Sequence, residues 1–121
     1  MSMLDTSVVV ELIRRGEFRT GSISIFTVIE TLRGVDPDKR IRVKNLMEKA
    51  FKVIGLDNRV LETYCEIYWS LRRRGELIPD VDLLIAATAM AYNLTLETKD
   101  RHFQRLKPLG LKVKFLSLIH I

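Results

Sequence analysis

The chain predicts an α/β protein in which a central, mostly parallel sheet is covered by helices on both faces. Three observations support this. Short apolar runs alternate with longer stretches of helical periodicity along the whole length, the order expected of successive βαβ units. Glycine and proline fall at the junctions, and no linker, repeat or low-complexity stretch interrupts the alternation. Acidic residues recur where a strand-like run gives way to a helix, the edge at which such sheets bind ligands.

Ser2-Met3-Leu4 reads as a short buried strand ending at Asp5-Thr6-Ser7, after which Val8, Val9, Leu12 and Ile13 take helical spacing as far as Gly16. A second strand, about Ser22 to Ser24, leads into a helix from about Phe26 to Arg33 that Gly34 closes. Asp36-Pro37 opens a third helix, with Asp as cap and Pro in the first turn, carrying Ile41, Val43, Leu46, Met47 and Ala50 inward. Phe51 to Ile54 is a third strand. From Asp57, the positions Val60, Leu61, Tyr64, Cys65, Ile67, Tyr68 and Leu71 define a long amphipathic helix that ends in Arg72-Arg73-Arg74 and Gly75, with basic residues at its negative dipole end. After Ile78-Pro79, the run from Val81 to Asn93 is apolar on almost every side and predicts a buried helix. Leu94 to Glu97 makes a strand, Asp100 to Arg105 a short helix and Lys112 to Leu116 the last strand.

A chain of 121 residues is one ordinary domain, spanning 1–121, and buries about two-thirds of its unfolded surface without a disulfide or a structural metal. The single Cys65 has no internal partner, the N-terminus lacks the features of a secretory leader, and no apolar run approaches the roughly 18 residues of a membrane span. A soluble, cytoplasmic protein without a membrane partner is expected. Lys and Arg number 20 against 15 acids, for a net charge of +5. If several acids are committed to a metal, the rest of the surface is more basic still, which favours a polyanionic partner.

Five acids carry the chemistry: Asp5, Glu30, the pair Asp80 and Asp82, and Asp100. Brought together, they raise one another's pKa and need a counter-charge, which a hard divalent cation supplies. Such a cation prefers oxygen ligands and binds through one or two carboxylates together with substrate phosphates. Each acid also has an ordinary structural reading. Asp5 or Ser7 caps the first helix, Thr27 and Glu30 have capping-box spacing, Asp80 and Asp82 suit a helix first turn, and Asp100 suits a cap or Asx turn. The repetition of acids at junctions favours the metal site, because Ser, Thr or Asn would cap equally well. His102 and His120 are poor ligands for a hard cation and read as surface residues. Cys65, on the apolar face of its helix, reads as core, and Tyr64, Tyr68 and Trp69 as core or interface. The apolar tail from Leu116 to Ile121 reads as a strand edge in need of cover by a second subunit or a bound segment.

Four segments together carry a resemblance. Met3-Leu4-Asp5-Thr6-Ser7, Ser24-Ile25-Phe26-Thr27-Val28-Ile29-Glu30 with Gly34, Asp82-Leu83-Leu84-Ile85-Ala86-Ala87, and Thr98-Lys99-Asp100 with Phe103 resemble the PIN-domain ribonucleases, and among them the VapC-type toxins of toxin-antitoxin systems. The motifs occur in family order over nearly the whole chain. The resemblance implies a PIN-like α/β/α sandwich, an endoribonuclease dependent on one or two Mg²⁺ or Mn²⁺ ions, an RNA substrate, a cognate antitoxin and a homodimer. Asp5, Glu30, Asp82 and Asp100 match the family's acidic quartet as catalytic and metal-binding residues, with Glu30 acting directly or through water. Asp80 matches an additional acid found in many relatives, while Thr6 and Thr98 match hydroxyls that orient the acids. Arg72, Arg73, Arg74, Arg14, Arg15, Lys99 and Arg101 lie near the predicted site loops and are candidates for RNA backbone contacts. A receiver-type phosphoacceptor domain is the enzyme-class rival, but it needs an adjacent acidic pair after the first strand, where Asp5 stands alone. A PIN-like binding module without catalysis is the other alternative, and the presence of all four acids argues against it.

Overall fold

A computed structural model describes residues 1–117. Five short strands form one all-parallel sheet in the order β3-β2-β1-β4-β5, where β1 is Ser2–Leu4, β2 Ser22–Ser24, β3 Lys52–Ile54, β4 Thr95–Thr98 and β5 Val113–Phe115. The helices are α1 (Thr6–Arg15), α2 (Ile25–Arg33), α3 (Arg40–Ala50), α4 (Asn58–Arg73) and α5 (Asp80–Ala91), with 3₁₀ turns at Pro37–Lys39 and Arg101–Leu109.

The chain starts at the centre of the sheet, builds outward through β2 to β3, and then crosses back to lay β4 and β5 on the other side of β1. The connections leaving β1 towards β2 and leaving β4 towards β5 therefore run in opposite directions, which opens a crevice at the carboxyl ends of these two central strands. Asp5 follows β1 and Asp100 follows β4. The backbone N–H of Asp5 donates to the Glu97 carbonyl at 2.9 Å, so the β1–β4 ladder continues to the mouth of the crevice.

Side-chain alternation along the strands divides the core in two. Met3 and Leu96 face a cluster under α4 and α5 that includes Val60, Ile67, Leu71, Leu83, Ile85 and Phe103. Leu4 and Ile23 face the opposite layer, with Val8, Val9, Leu12, Val28, Met47 and Phe51. Burial on all sides explains the nearly continuous apolar run of α5, in which Leu83 and Ile85 to Ala89 are buried. Asn93, at a φ of 53°, takes the left-handed position after this helix, a conformation its short polar side chain tolerates.

Several expectations need correcting. Pro37 opens a 3₁₀ turn rather than α3 itself, and the Asp36 side chain makes no cap hydrogen bond. In α3 only Met47 is buried, with Val43 and Ala50 partly so, while Ile41 (73% exposed) and Leu46 (44%) lie off the stripe that reaches the sheet. In α4 the inward stripe is Val60, Tyr64, Ile67, Tyr68 and Leu71. Leu61, Cys65 and Trp69, four residues apart, form an adjoining flank that is exposed, so Cys65 is not core. Among the described residues no helix is long and apolar enough to cross a membrane. Of the tail from Leu116 to Ile121, residues 118–121, His120 included, lie outside the described residues.

Candidate active site

Asp5 is the N-cap of α1, yet its carboxylate caps nothing. The backbone carbonyl does the helix-starting work by accepting from the N–H groups of Val8 and Val9 at 3.0 and 3.1 Å. The side chain is 1% exposed. Its Oδ2 accepts from the hydroxyls of Ser7 at 2.8 Å and Thr98 at 2.7 Å, whereas Oδ1 is buried with no hydrogen-bond partner. Each hydroxyl also accepts from the loop after β4, Ser7 from the N–H of Lys99 at 3.2 Å and Thr98 from the N–H of Asp100 at 3.0 Å. Asp5 is thus tied to the loop that presents Asp100. A buried carboxylate oxygen left without a donor is costly unless a cation meets it.

The other acids converge from separate elements. Glu30 lies on α2, and its Oε1 accepts from the Thr6 hydroxyl at 2.7 Å. Asp82 sits in the first turn of α5, where the positive dipole end favours it. Desolvation first, and then the charges of Asp5, Glu30 and Asp100, push its pKa up to about 6, against a lowering by His102. Burial likewise raises Asp5, more than its hydroxyl and backbone partners lower it, and Asp100 adds to the rise. The four carboxylates therefore share one field.

Asp80 turns elsewhere: it is exposed and accepts from the Tyr64 hydroxyl at 2.9 Å, and burial with this contact raises that tyrosine to about 12. His102 corrects the reading of it as a surface residue. Half-buried on the 3₁₀ turn after Asp100, it brings Nε2 to 3.1 Å from Asp82 Oδ2. Ser7 and Thr27 also belong to the site, and the capping readings hid both. The cap of α2 is Ser24, which accepts from the N–H of Phe26 at 3.0 Å, so Thr27 stands inside the helix and Glu30 faces Thr6.

The candidate basic residues fall into two groups. Arg14 lines a cavity of about 320 Å³ together with Glu30, Thr31 and Gly34, and Lys99 Nζ lies 3.9 Å from Glu11, the residue that Arg14 and Arg15 also approach. Arg101 stacks 4.7 Å above the Phe115 ring. At the end of α4, Arg72 lies 5.1 Å above Trp69, Arg73 is exposed, and Arg74 donates to the Arg105 carbonyl at 3.2 Å.

Among the described residues no group of three or more His, Cys, Asp or Glu side chains is placed so that together they could hold a metal ion. An open set of carboxylates with one orphaned buried oxygen suits a hard cation that keeps several of its waters and needs only one or two direct protein ligands.

Fold and site together define a parallel α/β protein with a carboxylate-lined crevice at the topological switch point. The PIN domain family matches residues 2–108, and the chain belongs to that family. It is 37% identical to Ribonuclease VapC1 of Methanocaldococcus jannaschii over 115 residues, covering 92% of this chain and 85% of that protein. Its fold is similar to the DNA-bound VapBC of Salmonella typhimurium, with a TM-score of 0.82 at 22% identity over 95% of this chain and 98% of that one. VapBC-1 of nontypeable Haemophilus influenzae gives 0.80 at 23% identity over 94% and 96%. With Asp82 opening a helix of a PIN-domain chain, the receiver-type alternative falls away.

Proposed function

We propose that this chain is a divalent-metal-dependent endoribonuclease of the VapC type, acting through Asp5, Glu30, Asp82 and Asp100. The ribonuclease activity follows from family membership and from the likeness to Ribonuclease VapC1. Divalent-metal dependence is general among such nucleases. The observation that supports this site is the orphaned Oδ1 of Asp5, a buried carboxylate close enough to Asp100 to be raised by it, beside an Asp82 that is raised by desolvation and by Asp5, Glu30 and Asp100.

Asp5, Asp82 and Asp100 hold one or two Mg²⁺ or Mn²⁺ ions, with Glu30 taking part directly or through water and Asp80 at the periphery. A cation bound there supplies a hydrolytic nucleophile at neutral pH and neutralises charge at the phosphodiester and its leaving 3′ oxygen. The protein supplies the rest. Ser7 and Thr98 hold one Asp5 oxygen and leave the other without a donor, available to a cation. Thr6 holds Glu30. Arg14, Arg15, Lys99 and Arg101 flank the crevice and contact the RNA backbone, and Arg72 to Arg74 extend the basic surface along α4. A cognate antitoxin, as in the VapBC complexes with the same fold, is the protein partner, and a second copy of the chain completes a homodimer acting in the cytoplasm.

Product ends test the reading. Metal-assisted hydrolysis leaves a 5′ phosphate and a 3′ hydroxyl, so Mn²⁺-dependent fragments of an RNA pool should accept 3′ ligation and resist 5′ kinase labelling without prior phosphatase treatment. Fragments with 2′,3′-cyclic ends, formed equally in EDTA, would refute it.

A further inference from the structure

Thr27 is a fully buried hydroxyl on α2, one turn ahead of Glu30. Its Oγ1 lies 3.1 Å from Thr6 Oγ1, which in turn lies 2.7 Å from Glu30 Oε1. A threonine hydroxyl has one proton, and a carboxylate offers only lone pairs. The Thr6 proton is therefore committed to Glu30, and the contact between the two threonines is made with the proton of Thr27. The hydrogen bonds run one way, from Thr27 to Thr6 to Glu30.

We propose that Thr27 is a positioning residue for the nuclease reaction: its O–H fixes the Thr6 hydroxyl and, through it, the orientation of the Glu30 carboxylate. Thr27 itself does not reach substrate. Two features make the relay consequential. A donor that itself accepts a hydrogen bond is polarised and donates more strongly, and burial of Thr27 keeps water from competing at its end of the chain. Glu30 is also pulled the other way, since the exposed guanidinium of Arg33 lies 3.6 Å from Oε2. Without the relay, that solvent-facing ion pair sets where Glu30 points.

This inference rests on Glu30 being one of the active-site acids, and the test separates the two claims. RNA cleavage is measured against Mn²⁺ concentration for the parent, Thr27→Val, Thr27→Ser, Thr6→Val, the double variant Thr27→Val with Thr6→Val, and Glu30→Gln, with thermal melts to verify folding. Loss of an outer partner of this kind should cost about tenfold in rate or in half-saturating Mn²⁺. Thr27→Ser, which keeps the hydroxyl, should restore most of the activity, and Thr27→Val should cost nothing further once Thr6 is Val. If Thr27→Val does not fold, Thr27→Ala takes its place in the same comparison. Parental cleavage by Thr27→Val beside an inactive Glu30→Gln overturns the relay alone. So does an equal loss from Thr27→Val with and without Thr6, which marks a packing role. Full activity of Glu30→Gln removes the site assignment and the relay with it.

Discussion

Replacing Asp82 by asparagine should make the metal-free protein more stable while removing its activity. Asp82 is mostly buried and lies in the field of Asp5, Glu30 and Asp100, which together with desolvation moves its carboxyl from 3.8 to about 6. At about 1.4 kcal/mol per pH unit, this corresponds to about 3 kcal/mol by which the ionised group weakens the fold at neutral pH. The sign follows from proton counting: between 3.8 and about 6 the folded state binds more protons than the unfolded, so stability falls as pH rises through that window. An amide has no charge to desolvate and no repulsion from its neighbours, but it is itself dehydrated and loses the approach of His102. A net gain of about 1–2 kcal/mol remains, a melting temperature higher by about 3–8 °C in EDTA at pH 7.5. The gain should vanish near pH 4, where Asp82 of the parent is already protonated. Differential scanning fluorimetry of both proteins across this range is sufficient. A variant that melts at or below the parent in EDTA at neutral pH would show that the acids do not crowd one another.

Other predictions follow from the same geometry. Mn²⁺ should raise the melting temperature of the parent and leave that of Asp5→Asn nearly unchanged, because a ligand stabilises only the state that binds it; equal shifts would place the metal elsewhere. Glu97, buried and paired with Arg19 at 2.8 and 3.0 Å, has a pKa lowered by Arg19 in spite of desolvation, so its contribution is present above the usual carboxylate range and lost as pH falls through its folded value. Glu97→Gln should therefore cost about 1–3 kcal/mol at pH 7, with the difference closing towards pH 3, as urea titrations would show. Phe103→Ala, a fully buried ring between the 3₁₀ turn and α5, should cost about 3–5 kcal/mol and lower activity by loosening the loop that presents Asp100. Cleavage should weaken steeply with added KCl if Arg14, Lys99 and Arg101 contact phosphates, and a salt-independent rate would remove them from the interface.

The fold was legible because each strand is a short segment centred on one or two apolar residues next to a helix with clear punctuation, and a buried parallel sheet permits little else. The errors cluster on helix faces. Ile41, Leu46, Leu61 and Cys65 are apolar residues at near-helical spacing, but α3 covers an edge of the sheet and α4 offers it only one side, so part of each pattern faces solvent. At the site, the acids could be located at strand ends and helix starts, whereas their partners could not. Thr27 and Glu30 have the spacing of a capping box and equally that of two residues on one helix face, and only the capping hydroxyl of Ser24 decides between them. His102 met Asp82 through a tertiary contact between α5 and the last 3₁₀ turn, which neither local segment encodes.

The most direct test of the central claim is the rate of RNA cleavage as a function of Mn²⁺ concentration for the parent and Asp5→Asn, both shown to be folded and free of partner protein. The account predicts a saturable rate for the parent, no cleavage in EDTA, and a loss of several orders of magnitude for Asp5→Asn at any Mn²⁺ concentration. Parental cleavage by Asp5→Asn, or cleavage by the parent that persists in EDTA, would contradict it.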